Sequence, residues 1–381
     1  MTDDRLTIFH VNGERGFRGG ERQLIYLAAA LRARGHLNVV CCRAGGELER
    51  ESRRQGLETL SLPFFFEFDP VSAWVLARAA ARRRPAVVHA HTGHASGIAL
   101  LCRWFGGPGT VAHRRVVFPL RTFSALKYAR MDRLVAVSNA IAEALTRDGL
   151  PTERISVIHD AIPTSTQEWE WLGVSTPTLA PVDDTRRHAA RRALAESDRL
   201  DQSKRWIGNL AALGPDKDHE TLISAAAIVL EQRPNVLFLI AGRGPEEPRL
   251  RSIIVQLGLL DGVVLLGHRE EPGAVLAALD LFVLSSRDEG LGSVLLEAAA
   301  CGVATVATAV GGVPEVVHHG ETGLLVPPGD AAALARSIIT LLDDIGLTRR
   351  LAAAAFEALP RFGLTRAAER FEGLYRIVAA G

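Results

Sequence analysis

The sequence predicts an α/β protein of two doubly wound, parallel-sheet domains, on three observations. Its 381 residues are more than one hydrophobic core ordinarily holds, and 48% hydrophobic with 23% charged residues is the balance of a globular chain. Short, β-branched apolar runs alternate with stretches of helical period from end to end, which is the pattern of βαβ units. One polar, proline-bearing interval interrupts the alternation, which then starts afresh.

In the first series, strands are expected over 6–11, 37–42, 59–62, 86–89, 110–112, 133–137 and 155–158, with helices between them. Leu24, Leu27, Ala28 and Leu31 follow the i, i+3, i+4, i+7 spacing that gives a helix one buried stripe, and Gly35 ends it. Residues from about 161 to 205, with Pro163, Pro177, Pro181 and a charged tail, read as an interdomain connection. The second series places strands over 206–213, 236–240, 263–266, 281–284, 303–307 and 323–326, each short and apolar enough to be covered on both faces. The terminal stretch is an amphipathic helix with Ala367, Phe371, Leu374, Tyr375 and Val378 on one side. Open doubly wound sheets bind ligands at the carboxyl ends of their strands, so a cleft between the domains is the expected site.

Composition narrows the function. No apolar run reaches the roughly eighteen residues of a membrane span, and the start MTDDRLTIF lacks a basic leader and an apolar core, so a cytoplasmic location is expected. Cys41, Cys42, Cys102 and Cys301 have neither CxxC spacing nor a partner histidine pattern and read as buried thiols. Net charge is +1, yet residues 1–160 carry 23 Lys+Arg against 15 Asp+Glu, a net +8, and the remainder carries 21 against 28, a net −7. A basic first half suits an anionic acceptor or an anionic membrane surface, whereas the neutral whole without long basic runs argues against nucleic acid. Arg82, Arg83 and Arg84 are the densest cluster and also fit a solvated helix end before Pro85.

The most informative segment is SSRDEGLGSVLLEAAACG, 285–302, which follows the apolar strand LFVL and opens a helix. Gly290 and Gly292 let backbone approach a ligand, and the first-turn amides from Ser293 onward would meet a diphosphate. Glu297 lies among Leu295, Leu296, Ala298 and Ala299, where a carboxylate needs strong donors. A ribose cis-diol supplies two, and a structural ion pair is the alternative. Lys217, on the loop GNLAALGPDKDHETL, could neutralise charge building on a departing diphosphate. Asp216 and Asp218 match a DxD metal motif, but Lys217 and His219 would oppose a cation there.

Gly19 and Gly20 stand between the first strand and helix, either as a ligand-facing loop or as a plain turn. Neither they nor AGRGPE around Arg243 make GxGxxG, so a dinucleotide-dependent dehydrogenase loses support. His89, His91, His94 and His113 crowd predicted strand ends, but without HExxH or a carboxylate partner zinc is not expected. Phe64, Phe65, Phe66 and Phe68 are either core or a lip facing lipid or acceptor.

Residues 285–302 resemble the Glu-x7-Glu signature of retaining GT-B glycosyltransferases of family 4, the bacterial group 1 enzymes. VATAVGGVPEVVHHGETGLLVPPGD and FRGGERQLIYLAAAL are similar to the family's flanking stretches. The resemblance implies two Rossmann-like domains facing a cleft: 1–165 on the acceptor side, 166–205 as connection, 206–360 for the donor, and a helix at 361–381 returning to the first domain. It implies donor-sugar contact by Glu289, ribose contact by Glu297 and a diphosphate held by Gly290, Leu291, Gly292 and Ser293, with Gly19 and Gly20 opposite. Lys217 matches the family's lysine. Asn209, placed with Arg243 among the donor-binding residues, stands where an arginine is usual, with Arg243 a candidate to compensate. His113 takes the place of a histidine near the transferred sugar, and His91 is second choice. The implied reaction is sugar transfer from a nucleoside-diphosphate sugar to a glycan or lipid-linked acceptor with retention, needing no metal or other cofactor. The protein would be cytoplasmic, with attachment to the inner membrane face left open. An epimerase of the same fold and a non-catalytic sugar-nucleotide-binding subunit are the alternatives.

Overall fold

The computed structural model describes residues 5–118, 120, 122–174 and 179–380. The chain forms two compact units, Met1–Thr176 with Phe362–Gly381, and Pro177–Arg361. The first is built on β1 (Thr7–Val11), β2 (Leu37–Arg43), β3 (Glu58–Leu62), β4 (Ala86–Ala90), β5 (Gly109–Arg114), β6 (Arg133–Ala136) and β7 (Ile155–Val157). All pair in parallel, in the order β3-β2-β1-β4-β5-β6-β7. Every residue of β1 and β4 is buried, as expected for strands sandwiched between helical layers. The helix Gly19–Ala33 buries Leu24, Leu27, Ala28 and Leu31, the stripe visible in the sequence. The terminal helix Leu364–Ala380 lies in this unit, where it packs on the helix Gly19–Ala33, β4 and β5 through Phe371, Leu374, Tyr375 and Val378.

The second unit repeats the plan with β8 (Arg205–Leu210), β9 (Val236–Ala241), β10 (Val263–Gly267), β11 (Leu281–Leu284), β12 (Ala304–Thr308) and β13 (Leu324–Val326). Their parallel order is β10-β9-β8-β11-β12-β13. Its core joins Ile207, Phe238, Ile240, Val283 and Val306 of the sheet to Leu222, Ile223, Leu334 and Ile338 of the covering helices. β8 stops at Leu210, before the 213 expected, and Ala211 to Lys217 continue as a loop ending in a 3-10 turn.

Residues 166–205 hold more structure than a connection requires. The helix Thr166–Trp171 falls in the first unit. The helix Asp184–Asp198 falls in the second, where it packs on the helix Pro272–Ala278. Arg191 anchors it: the guanidinium lies 4.5 Å from the Trp206 ring centroid and donates to Asp280 Oδ2 at 3.1 Å. Pro177, one of the prolines that mark the interval in the sequence, lies outside the described residues.

Candidate functional site

In each sheet the order of winding reverses once, between β1 and β4 in the first unit and between β8 and β11 in the second. Loops leaving the carboxyl ends of such a strand pair splay apart and open a crevice, so chemistry is expected there. In the second unit the loops after β8 and β11 carry Lys217 and Glu289. Arg287 N donates to Asp216 O at 2.8 Å and Ser285 Oγ to Lys217 O at 3.0 Å, which ties the two loops together. Lys217 Nζ then reaches Glu289 Oε1 at 2.9 Å and Asp216 Oδ2 at 3.1 Å. Burial works against the lysine's charge, but the Glu289 and Asp216 carboxylates outweigh it and hold its pKa above the ordinary value. Lys217 is therefore a fixed cation at the crevice.

Glu289 is held from three sides. Ser286 Oγ donates to its Oε1 at 2.9 Å, and Thr308 Oγ1 holds the Ser286 carbonyl at 2.6 Å. Gly311, with φ of +49°, passes so close that a Cβ there would lie 1.8 Å from Glu289 O. The next amide, Gly312 N, donates to that carbonyl at 3.2 Å. Ser286 and Gly311 escaped the sequence reasoning. The signal for them was the serine pair before the glutamate and the double glycine after β12. The neighbouring Asp288 has its pKa raised, chiefly by burial.

The helix Ser293–Ala300 begins at Gly292, which is left-handed with φ of +79° and offers no capping side chain. Its first amides are thus available to an anion. Leu291 is buried beneath the turn, and Glu297 is buried on the following turn with 5% exposure. Gly290, Gly292, Ser293 and Glu297 therefore share one loop-to-helix junction.

Asn209 behaves differently from an exposed donor-binding group. It is 1% exposed, its Nδ2 donates to Val283 O at 2.9 Å, and its Oδ1 sits 3.0 Å from His219 Nε2. It braces β8 against β11 and orients His219, whose pKa burial and Lys217 lower to about 4. Arg243 is exposed on the loop after β9, and its carbonyl accepts from Leu213 N at 3.0 Å, so it stands beside the Lys217 loop. The DxD carboxylates are both engaged by cations: Asp216 by Lys217, and Asp218 by Arg287 Nε at 2.7 Å. Asp218 also caps the helix His219–Gln232 through Thr221.

In the first unit Gly19 and Gly20 open the helix Gly19–Ala33, and a Cβ on Gly20 would meet nothing within 4 Å. The turn is fixed by buried Glu21, which accepts from Asn12 Nδ2 at 2.8 Å and Arg18 N at 2.9 Å. Glu21 is a third residue that the sequence reasoning missed, although its place at the third helical position is the mark of a capping box.

His10 and His89 face each other across the β1–β4 pairing, and His91 and His113 complete a buried cluster; His94 is exposed and stands apart. Asn38 Nδ2 donates to His36 O, which turns its Oδ1 toward His10 Nε2 at 3.0 Å. His10 must therefore carry its proton on Nε2, and its Nδ1 accepts from His91 Nε2 at 3.1 Å. His89 Nδ1 meets Tyr375 OH at 2.7 Å. Burial keeps the cluster neutral: it lowers the His10 pKa to about 4 and pushes His89, His91 and His113 well down. His10, His89 and His91 could bring three ligand atoms within 4.8 Å of one another. Arg115 opposes positive charge on His91 and His113. Hydrogen bonds join His10 to Asn38 and His91, and His89 to Tyr375. His113 lies against Phe371 and lines a cavity of about 20 Å³ with Gln23, Arg115 and Asp160, room for about one water-sized group. Both its ring nitrogens lack a hydrogen-bond partner among the described residues.

Family models match each of the two units. Residues 191–358 match Glycosyl transferases group 1, and residues 17–166 match Glycosyltransferase Family 4. The D-inositol 3-phosphate glycosyltransferase of Mycobacterium sp. (strain KMS) is 31% identical over 332 residues, which is 80% of this chain and 70% of that protein. The chain belongs to the group 1 glycosyl transferases. Another family member, N-acetyl-alpha-D-glucosaminyl L-malate synthase of Bacillus anthracis, is 33% identical over 177 residues, 46% of each chain. The match to the exopolysaccharide phosphotransferase of Streptomyces coelicolor, 36% identical over 214 residues, covers 55% of this chain and 22% of that one. The chain thus spans less than half the length of some curated relatives that it matches. Among solved folds, Anabaena HepE in complex with UDP-glucose superposes with a TM-score of 0.83 at 22% identity, over 97% of this chain and 99% of that one. This likeness establishes the GT-B fold for the family member described here.

Proposed function

We propose that this protein transfers a sugar from a nucleoside-diphosphate sugar to a hydroxyl of a glycan or lipid-linked acceptor, with retention of anomeric configuration. The observation that carries the reading is the Lys217–Glu289 pair, 2.9 Å apart, where the strand order reverses. Lys217 Nζ and the amides at Ser293 would receive the charge of the departing diphosphate, and Glu297 would accept from the ribose hydroxyls. The bond from C1 to the phosphate oxygen breaks with its electron pair going to the diphosphate. The acceptor oxygen bonds to C1 on the same face, and its proton passes to the departing phosphate oxygen. Glu289, tied to Lys217 and Ser286, would orient the sugar without acting as nucleophile.

No resident metal is required in this proposal, because the fixed cation Lys217 does the work of neutralisation and the DxD carboxylates are already paired. In the first unit Gly19 and Gly20 would offer backbone to a ligand, and His113, buried against Phe371, would act through the residues around its cavity. Asn209 supports the loop, which leaves Arg243 as the additional cation for the diphosphate. A lipid-linked acceptor would place the protein at the inner face of a membrane. No helix among the described residues is long and apolar enough to cross one.

Incubation with UDP-, GDP- and ADP-sugars, followed by NMR of the released or transferred sugar, tests the reading. Turnover of one donor with the anomeric configuration of the donor kept in the product is expected. Inverted product would overturn retention, epimerised nucleotide sugar would favour the epimerase, and binding without turnover would favour a non-catalytic subunit.

A further inference from the structure

Residues 63–69 spend several interactions on keeping two phenylalanines in water. Phe64 turns inward with φ of +50° and is 2% exposed. A bulky residue reaches that backbone region only when its surroundings force it. Arg43 does so: its Nη2 donates to Phe64 O at 2.6 Å and its Nη1 to Pro63 O at 3.1 Å, with the guanidinium 5.5 Å from the Phe64 ring centroid. At the other end the fully buried Asp69 accepts from Phe65 N at 3.2 Å, Val71 N at 3.0 Å and Ser72 Oγ at 2.5 Å. Between them Glu67 pairs with Lys127, which also donates to Gly93 O at 2.8 Å. The loop lies so close on the helix Gly93–Trp104 that a Cβ at Gly97 would come within 2.3 Å of Glu67 O.

A segment fixed at so many points is not exposed by default. Phe65 and Phe66 nevertheless remain 70% and 61% exposed. The helix Pro70–Ala81 continues the face with exposed Val71 and Trp74, then Arg78, whose guanidinium lies 5.1 Å from the Trp74 ring centroid, and exposed Arg82 beyond its end. Positions 71, 74, 78 and 82 follow helical spacing, so an apolar end grades into a cationic end along one stripe. Residues 1–160, most of the first unit, carry a net +8. Apolar side chains that insert, a tryptophan at the boundary and arginines at phosphate depth are the chemistry of an anionic bilayer surface.

We infer that the first unit docks peripherally on an anionic membrane through Phe65, Phe66, Val71 and Trp74, with Arg78 and Arg82 at the lipid phosphates. This deepens the lipid-linked-acceptor reading, on which it rests for its purpose, and it is tested without donor so that the two can fail separately. The purified chain is sedimented with vesicles of phosphatidylcholine alone and of an equal mixture with phosphatidylglycerol. Binding to the mixed vesicles, at least about tenfold stronger than to phosphatidylcholine and weakened by salt, is expected. The double variant Phe65→Ser/Phe66→Ser should lose at least about tenfold in vesicle affinity while keeping its melting temperature and its nucleotide binding. Arg78→Gln/Arg82→Gln should lose the preference for anionic lipid. Equal binding to both vesicles, or full binding by the phenylalanine variant, would overturn the inference. A lipid-independent dimer that the phenylalanine variant dissolves would also overturn it, by assigning the face to a second copy of the chain.

Discussion

At the scale of single residues, the account turns on one cation held by two carboxylates. Lys217 and Glu289 are 20% and 11% exposed at the side chain, shielded enough for their attraction to outweigh solvent screening in part. Lys217→Ala should lower turnover by about 100- to 1,000-fold, as the loss of one preorganised charge on a leaving group does, with a smaller effect on donor affinity. Glu289→Ala made in the same background should add little, since each residue holds the other; steady-state kinetics of the two single variants and the double variant measure this. Full additivity would show that the pair does not act as a unit. Asn209 illustrates what the sequence alone could not show. It was placed among the donor-binding residues where an arginine is usual, and both ends of its amide are used inside the unit, on Val283 and His219.

At the scale of elements, strands and the first helical stripe were legible because burial imposes a period on apolar residues. Leu24, Leu27, Ala28 and Leu31 are all buried, and so is each residue of β11. The helix Asp184–Asp198 was not legible, since Ala195 is its one buried residue among those described and its packing depends on Arg191 stacking on Trp206. The histidine cluster was visible only in part. His89 and His91 are two apart and share a strand face, whereas His10, Asn38 and Tyr375 reach them from distant segments. The terminal helix makes this concrete. Leu374 is 5% exposed on the face that covers the first sheet, so Leu374→Ala should cost about 2–4 kcal/mol, read from denaturant unfolding. A change under about 0.5 kcal/mol would mean that the helix does not contribute to that core.

At the scale of the whole molecule, two sheets of the same winding make the fold readable and the site harder to read. Spacing gave Glu289 and Glu297 directly, but Lys217 and Glu289 stand 72 residues apart and meet only because β8 and β11 are neighbours. The molecule's pH response follows from the buried imidazoles of the first unit. Burial lowers the His10 pKa to about 4 in the folded chain against 6.5 unfolded, and it also pushes His89, His91 and His113 well down. The unfolded chain therefore binds more protons through that window. The stabilisation is full above about pH 6.5 and is lost as pH falls toward 4, by up to about 3 kcal/mol for His10 alone. Unfolding midpoints at pH 7 and pH 5 test this, and equal midpoints would contradict it. We propose that the loop and helix from Glu289 to Glu297 bind the donor nucleotide. The most direct test is calorimetric titration of UDP, GDP and ADP into the protein and into Glu297→Ala. One diphosphate should bind in preference to the others, and the variant should lose about 10- to 100-fold in affinity for it, the worth of hydrogen bonds to a charged group. No binding of any diphosphate, or an unchanged affinity in Glu297→Ala, would contradict the account.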